Sequence, residues 1–135
     1  MRQVFADTSY WIAVVNPRDQ LHGKAVSVTR QLSSMKIMTS EMVLVELLNS
    51  FSDSGPLREA VGSMVRGLRQ SRELTIVPQT AEQFQSALLR YRQAADKSWS
   101  LTDCASFQAM EGEGIKAALT YDLHFAQAGF ETLLR

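Results

Sequence analysis

The chain lacks a charge of one sign: its 14 Lys and Arg balance its 14 Asp and Glu. No bulk field therefore draws it to nucleic acid or to an anionic membrane, and any polyanion it handles must be held by a local arrangement. Cysteine is nearly absent. The single thiol, Cys104, excludes an internal disulfide and fits a reducing compartment, and on a helix it reads first as a small packing residue. Glycine and proline are also sparse, 7 and 3 residues of 135, which excludes disordered and fibrous classes. Long apolar runs are missing too. The longest, Tyr10 to Val15, falls far short of the ~20 residues that cross a bilayer. No secretory pattern follows it, so a cytoplasmic protein without a membrane partner is expected. No internal repeat or low-complexity tract recurs, which removes solenoids and linkers.

What is there is ordinary globular material, 45% apolar and 21% charged. At this length a single domain over residues 1–135 is expected, with enough buried surface for a core without staples. Short apolar runs at Val4–Ala6, Ile37–Met38, Leu74–Val77, Ile115–Leu119 and Phe130–Leu134 alternate with stretches of helical spacing at 21–33, 40–52, 56–71, 80–95 and 100–112. Thr8–Val15 adds a short first helix. Thr80 followed by Gln83, and Ser100 followed by Asp103, read as capping boxes or close variants. Pro56 suits a first helical position, and the Gly112 to Gly114 region ends the sixth helix. Strands separated by helices imply parallel pairing with helices on both faces. The fold class is α/β, a three-layer α/β/α sandwich with a mainly parallel sheet of about five strands.

Chemistry in such sheets sits beyond the carboxyl ends of the strands, near the point where strand order reverses. Asp7 directly follows the first strand, and Asp122 follows the fourth after Thr120 and Tyr121. Glu46 lies about 9 Å along a helix starting near Ser40, and Asp103 falls in the opening turn of another. These four acids stand in apolar company: Val-Phe-Ala-Asp, Leu-Val-Glu-Leu-Leu, Leu-Thr-Asp-Cys-Ala and Leu-Thr-Tyr-Asp-Leu. A carboxylate drawn from water needs a partner, and a divalent cation would compensate all of them. An all-oxygen donor set suits Mg²⁺ or Mn²⁺ and points to phosphoryl chemistry. Each acid also has a plainer reading. Asp7 and Asp122 could cap the helices that follow them, and Asp103 could serve only its capping box and the helix dipole.

The stretches Val4-Phe-Ala-Asp-Thr-Ser-Tyr-Trp11, Thr39-Ser-Glu-Met-Val-Leu-Val-Glu-Leu-Leu48, Asp96-Lys-Ser-Trp-Ser-Leu-Thr-Asp-Cys104 and Thr120-Tyr-Asp-Leu-His-Phe125 carry a resemblance. In their order and spacing the chain resembles the PIN domain family, in particular its small stand-alone VapC-type toxins. The resemblance implies a metal-dependent ribonuclease in which Asp7, Glu46, Asp103 and Asp122 match the acidic quartet around Mg²⁺ or Mn²⁺. Thr120 matches a supporting polar position, Thr8 and Ser9 steady the loop of Asp7, and Asp96 stands as a supporting acid or as one half of a local ion pair. It further implies an RNA substrate, an antitoxin protein and a homodimer, with exposed apolar positions on the third and fourth helices as the source of the dimer interface.

Other residues are assigned plainer roles. His22 and His124 are expected outside the chemistry, with His124 in a turn after Asp122. Arg66, Arg69 and Arg72, spaced by three along one side of a helix, read as a solvated face before a phosphate track. Trp11, Trp99 and Phe107 read as packing residues before base-stacking ones, and the methionines likewise. Two rival functions remain open. One is a non-catalytic module of the same fold that binds RNA or protein. The other is a small-molecule phosphatase, which the presence of Ser9 in place of a second acid after Asp7 disfavours.

Overall fold

A computed structural model describes residues 2–135. The element order is β1 (Gln3–Ala6), α1 (Thr8–Val15), α2 (His22–Gln31), β2 (Lys36–Ser40), α3 (Glu41–Ser50), α4 (Pro56–Gln70), β3 (Leu74–Val77), α5 (Ala81–Gln93), α6 (Leu101–Glu113), β4 (Ala117–Leu119), α7 (Leu123–Gln127) and β5 (Glu131–Thr132). The five strands form one sheet in the order β3-β2-β1-β4-β5, and every pairing is parallel. Val4, Phe5 and Ala6 of β1 and Ala118 and Leu119 of β4 are wholly buried. Consecutive strand residues point to opposite faces, so burial of all of them requires cover on both sides, and the sandwich follows.

The strand order places the switch point at β1. The chain lays β2 and β3 on one side of β1 and then returns to lay β4 and β5 on the other. Crossovers leaving β1 and arriving at β4 therefore diverge and open a crevice at their carboxyl ends. The backbone N–H of Asp7 donates to the Leu119 carbonyl at 3.2 Å, which continues the β1–β4 ladder by one residue and carries Asp7 to the lip of that crevice.

Local signals set the helix ends. Ser100 and Asp103 form a reciprocal capping box at the start of α6, as Thr80 and Gln83 do at α5, and Pro56 occupies the first turn of α4. Gly114 closes α6 in the left-handed region at φ 68°, where a side chain would be strained. Ile115 N–H then bonds back to the Met110 carbonyl at 2.8 Å, and its buried side chain seals the turn. Phe107 lies at the centre of an aromatic cluster, 5.0 Å from Trp99 and 4.9 Å from Phe125 between ring centroids, both edge to face, with Phe130 at 5.6 Å. Phe107, Phe125 and the buried Trp11, whose Nε1 donates to Thr39 Oγ1, fill the interior, while Trp99 and Phe130 are half-buried against it.

Some expectations change. β2 runs on to Ser40, so that one residue ends a strand and caps α3, its side chain accepting from Val43 N–H. β4 begins at Ala117 rather than Ile115 because Gly114 and Ile115 belong to the helix-terminating turn. The final strand is reduced to Glu131–Thr132. Residues 123–127, expected as a turn, form the short helix α7 capped by Asp122. The arginine row is broken, because α4 ends at Gln70 and Arg72 lies past its cap Ser71.

Candidate metal centre

Four carboxylates meet where β1, β4, α3 and α6 converge. Asp7 holds the N-cap position of α1, yet its side chain makes no cap bond to that helix. Its Oδ2 instead accepts from Thr120 Oγ1 at 2.9 Å and from Ser9 Oγ at 3.4 Å. The Asp7 side chain is thus turned toward Thr120 and the Ser9 hydroxyl rather than toward the N2 or N3 backbone of α1. Thr120 is wholly buried. Its oxygen also accepts the Asp122 backbone N–H at 3.0 Å, so one hydroxyl ties together the acids that follow β1 and β4.

Glu46, in mid-helix on α3, accepts from Thr8 Oγ1 at 2.6 Å. Asp103 Oδ2 accepts the Ser100 N–H of the capping box at 3.0 Å and faces His124 Nδ1 at 2.8 Å. Asp122 Oδ1 caps α7 by accepting the His124 N–H at 2.9 Å and lies 3.4 Å from His124 Nδ1. The capping roles expected of Asp103 and Asp122 thus exist, but each uses one oxygen only. Among the described residues, Glu46, Asp103 and Asp122 all make their hydrogen bonds through a single oxygen and leave the second without a donor.

Electrostatics of the cluster are one-sided. Among the described residues, Lys and Arg pair with Glu131, Glu111 and Asp96, and none pairs with the four acids. Burial drives the Asp7 carboxyl up from 3.8 to about 7, and the charges of Asp103 and Glu46 add to the rise. Hydrogen bonds from the Thr8 backbone and the Thr120 hydroxyl oppose it only in part. A buried acid pushed toward its neutral form, beside acids with unused oxygens, is what an acidic cluster looks like when no Lys or Arg among the described residues balances it.

Asp103, Asp122 and His124 form the tightest group, each with a ligand atom within 4.8 Å of the others. Asp7 and Glu46 lie outside that radius and join through Thr120 and through their charges. The donors are hard carboxylate oxygens, the chemistry that suits a small divalent cation. One imidazole departs from the all-oxygen set expected. His124 is the site residue that sequence reasoning set aside. Its signal was its place two residues after an acid that starts a helix, which puts both His124 nitrogens, backbone and ring, against Asp122. Asp96 goes the other way. It is exposed, and the Nζ of Lys97 at 3.1 Å and its own backbone N–H hold its carboxyl below the usual range. It does not enter the network of the four acids.

Residues 4–131 match the family model described as the PIN domain. The 23S rRNA-specific endonuclease VapC20 of Mycobacterium tuberculosis, strains CDC 1551 / Oshkosh and H37Rv, is 30% identical over 127 residues, covering 94% of this chain and 95% of that protein. The crystal structure of the same M. tuberculosis protein, described as a sarcin–ricin loop cleaving toxin, superposes with a TM-score of 0.84 at 28% identity over 94% of this chain and 95% of the other. VapBC2 from Rickettsia felis, bound to a DNA fragment from its promoter, superposes at 0.64 with 15% identity over 96% of each chain. FitAcB from Neisseria gonorrhoeae gives 0.62 and 16% over 96% of this chain and 95% of that one. The last two likenesses bear on the fold alone.

Proposed function

The chain belongs to the PIN domain family, and on that footing we propose that it is a metal-dependent endoribonuclease, the toxin of a toxin–antitoxin pair. It cuts RNA phosphodiesters, with a ribosomal stem–loop of the sarcin–ricin type as the leading substrate by analogy with its relative. One domain over residues 1–135 carries the activity, in the cytoplasm. Asp7, Glu46, Asp103 and Asp122 hold one or two Mg²⁺ or Mn²⁺ ions. The observation that carries this reading is the Thr120 hydroxyl, which binds Asp7 and the Asp122 backbone at once at the switch point of the sheet, amid acids that no Lys or Arg among the described residues neutralises.

A bound divalent cation supplies Lewis-acid polarisation of the phosphate and lowers the pKa of the attacking water. The protein's own part is placement. Thr120 and Ser9 fix one oxygen of Asp7, Thr8 fixes one oxygen of Glu46, and the capping box fixes Asp103, so three of the acids are held in place by the fold. Loading requires Asp7 to surrender the proton it holds up to about pH 7. Metal loading, and cleavage at limiting cation, are accordingly expected to rise with pH, and saturating cation moves the transition below that value.

Exposed apolar residues occur on α3 and α5, namely Val45, Leu48, Phe84, Leu88 and Leu89. A groove of about 460 Å³ between those helices runs past Met42, Val45 and Phe84 to Glu46. Large exposed apolar side chains are absent from α4 among the described residues, so the dimer interface is assigned to α3 and α5 instead of α3 and α4. An antitoxin segment covering the acidic crevice completes the proposed assembly.

The test is cleavage of a sarcin–ricin stem–loop RNA by the wild type and by Asp7→Asn, Glu46→Gln, Asp103→Asn and Asp122→Asn, with Mg²⁺, with Mn²⁺ and with chelator. Loss of cleavage by every variant and in chelator is expected. Undiminished cutting by Asp7→Asn in chelator overturns the metal mechanism, and RNA binding without products favours the non-catalytic module.

A further inference from the structure

Beside the acidic crevice the Arg135 guanidinium lies over the ring of Tyr121 at 4.9 Å from its centroid, while the Tyr121 backbone N–H donates to Ser9 Oγ at 3.4 Å. Arg135 Nη1 donates to the Tyr121 carbonyl at 3.0 Å. Tyr121 stands between Thr120 and Asp122, so the pair adjoins two members of the site along the chain. The segment that carries Arg135 is held in register. Leu133 and Leu134 N–H groups donate to the Ala118 and Thr120 carbonyls at 2.9 and 3.1 Å, and the Leu134 side chain is buried.

Two features of this pair have no use inside the protein. Tyr121 is 47% exposed as a residue, next to a similarly exposed Leu123. Arg135 makes no ion pair with a carboxylate among the described residues, and most of its N–H donors are unspent. A planar cation stacked on a half-exposed ring offers a flat face to a nucleobase and a fork of donors to a phosphate. It also supplies, at one point on the rim, the attraction for a polyanion that a chain of zero net charge lacks as a whole.

We infer that Tyr121 and Arg135 together grip one unpaired nucleotide next to the cut, the base stacked on the Tyr121–Arg135 layer and its phosphate on Arg135. The inference rests on the ribonuclease reading above and names residues of substrate binding that lie outside the metal centre.

The experiment pairs two measurements on Tyr121→Ala, Tyr121→Phe, Arg135→Ala and Arg135→Lys. The first is the affinity for a fluorescein-labelled sarcin–ricin stem–loop RNA across a salt series, with each change made in the Asp7→Asn background to prevent cutting. The second is steady-state cleavage in the otherwise native protein with Mn²⁺. Tyr121→Ala is expected to weaken binding about tenfold, within the range for loss of one base stack, with an unchanged salt slope, while Tyr121→Phe retains the affinity. Arg135→Ala is expected to weaken binding and to flatten the salt slope by about 0.7, the loss of one phosphate contact on a single strand. Arg135→Lys restores the slope but not the full affinity. In cleavage both alanine variants raise KM with kcat held within about twofold, whereas mere disturbance of Asp122 lowers kcat and leaves the salt slope alone. Should the wild type cut the RNA while both alanine variants match it in KM, affinity and salt slope, the grip is refuted and the nuclease reading survives. Should the wild type neither bind nor cut RNA with either metal, both fall.

Discussion

Replacing Asp7 with Asn should strengthen the metal-free protein at alkaline pH even as it destroys activity. Asp7 is 5% exposed, and burial with nearby Asp103 and Glu46 lifts its carboxyl from 3.8 to about 7. Over that window the folded chain keeps a proton that the unfolded chain has released. Stability conferred by the protonated form is therefore complete below about pH 4 and is lost as the pH rises through about 7. At about 1.4 kcal/mol per pH unit, the full rise is worth at most about 4 kcal/mol, of which about 2 kcal/mol accrues between about pH 5 and about pH 7. Asparagine carries no such burden. Its amide can accept from Thr120 or donate to the Thr120 and Ser9 hydroxyls, which lowers the cost of the exchange to about 1 kcal/mol. Urea unfolding in chelator, followed by the fluorescence of Trp11 and Trp99, should find the advantage of Asp7→Asn over wild type growing by about 1–3 kcal/mol between about pH 5 and about pH 8. Saturating Mn²⁺ should erase it by stabilising the wild type alone, by about 2.7 kcal/mol at a hundredfold excess over Kd. A difference between the two proteins that is flat in pH would refute the assignment of a cost to the buried Asp7 charge.

His124→Ala removes the ring nitrogen set between Asp103 and Asp122, and should reduce cleavage about 10–100-fold, the usual range for a group that orients metal ligands; kcat on the stem–loop RNA is the measurement. Phe107→Ala empties the centre of the aromatic cluster and should cost about 3–5 kcal/mol in urea unfolding. Ser100→Ala breaks one half of the α6 capping box and should cost about 1 kcal/mol, read from the same transition. Leu89→Glu charges the exposed face of α5 and should convert the proposed dimer to monomer in light scattering, with an unaltered circular dichroism spectrum.

Much of the architecture was readable along the chain because its determinants are local. The β1 run Val4–Ala6, the capping pairs Thr80/Gln83 and Ser100/Asp103, Pro56 and Gly114 act within a few residues of themselves, and each marks its element where the structure has it. The extent of α7 was not legible because five residues are too few for a periodic pattern, even though Asp122 read as a cap. Arg72 was counted on the helix because a spacing of three carries no stop signal of its own, whereas the structure ends α4 at its neighbour Ser71.

The acids could be singled out in the sequence because a carboxylate inside an apolar run is costly wherever the chain takes it. Their partners could not. That Thr120 serves Asp7 across 113 positions, that Thr8 reaches Glu46 across 38, and that His124 turns to Asp103 across 21 depends on strand order and helix packing, which no local pattern encodes. Nor could the rim pair be read in advance, since Arg135 meets Tyr121 only because the terminal segment docks beside β4. The sequence alone thus determined the element types and which charges needed compensation, both consequences of short-range sterics and solvation. The tertiary structure decided who compensates whom, since hydrogen bonds and Coulomb contacts act over a few ångströms of space, whatever the separation along the chain.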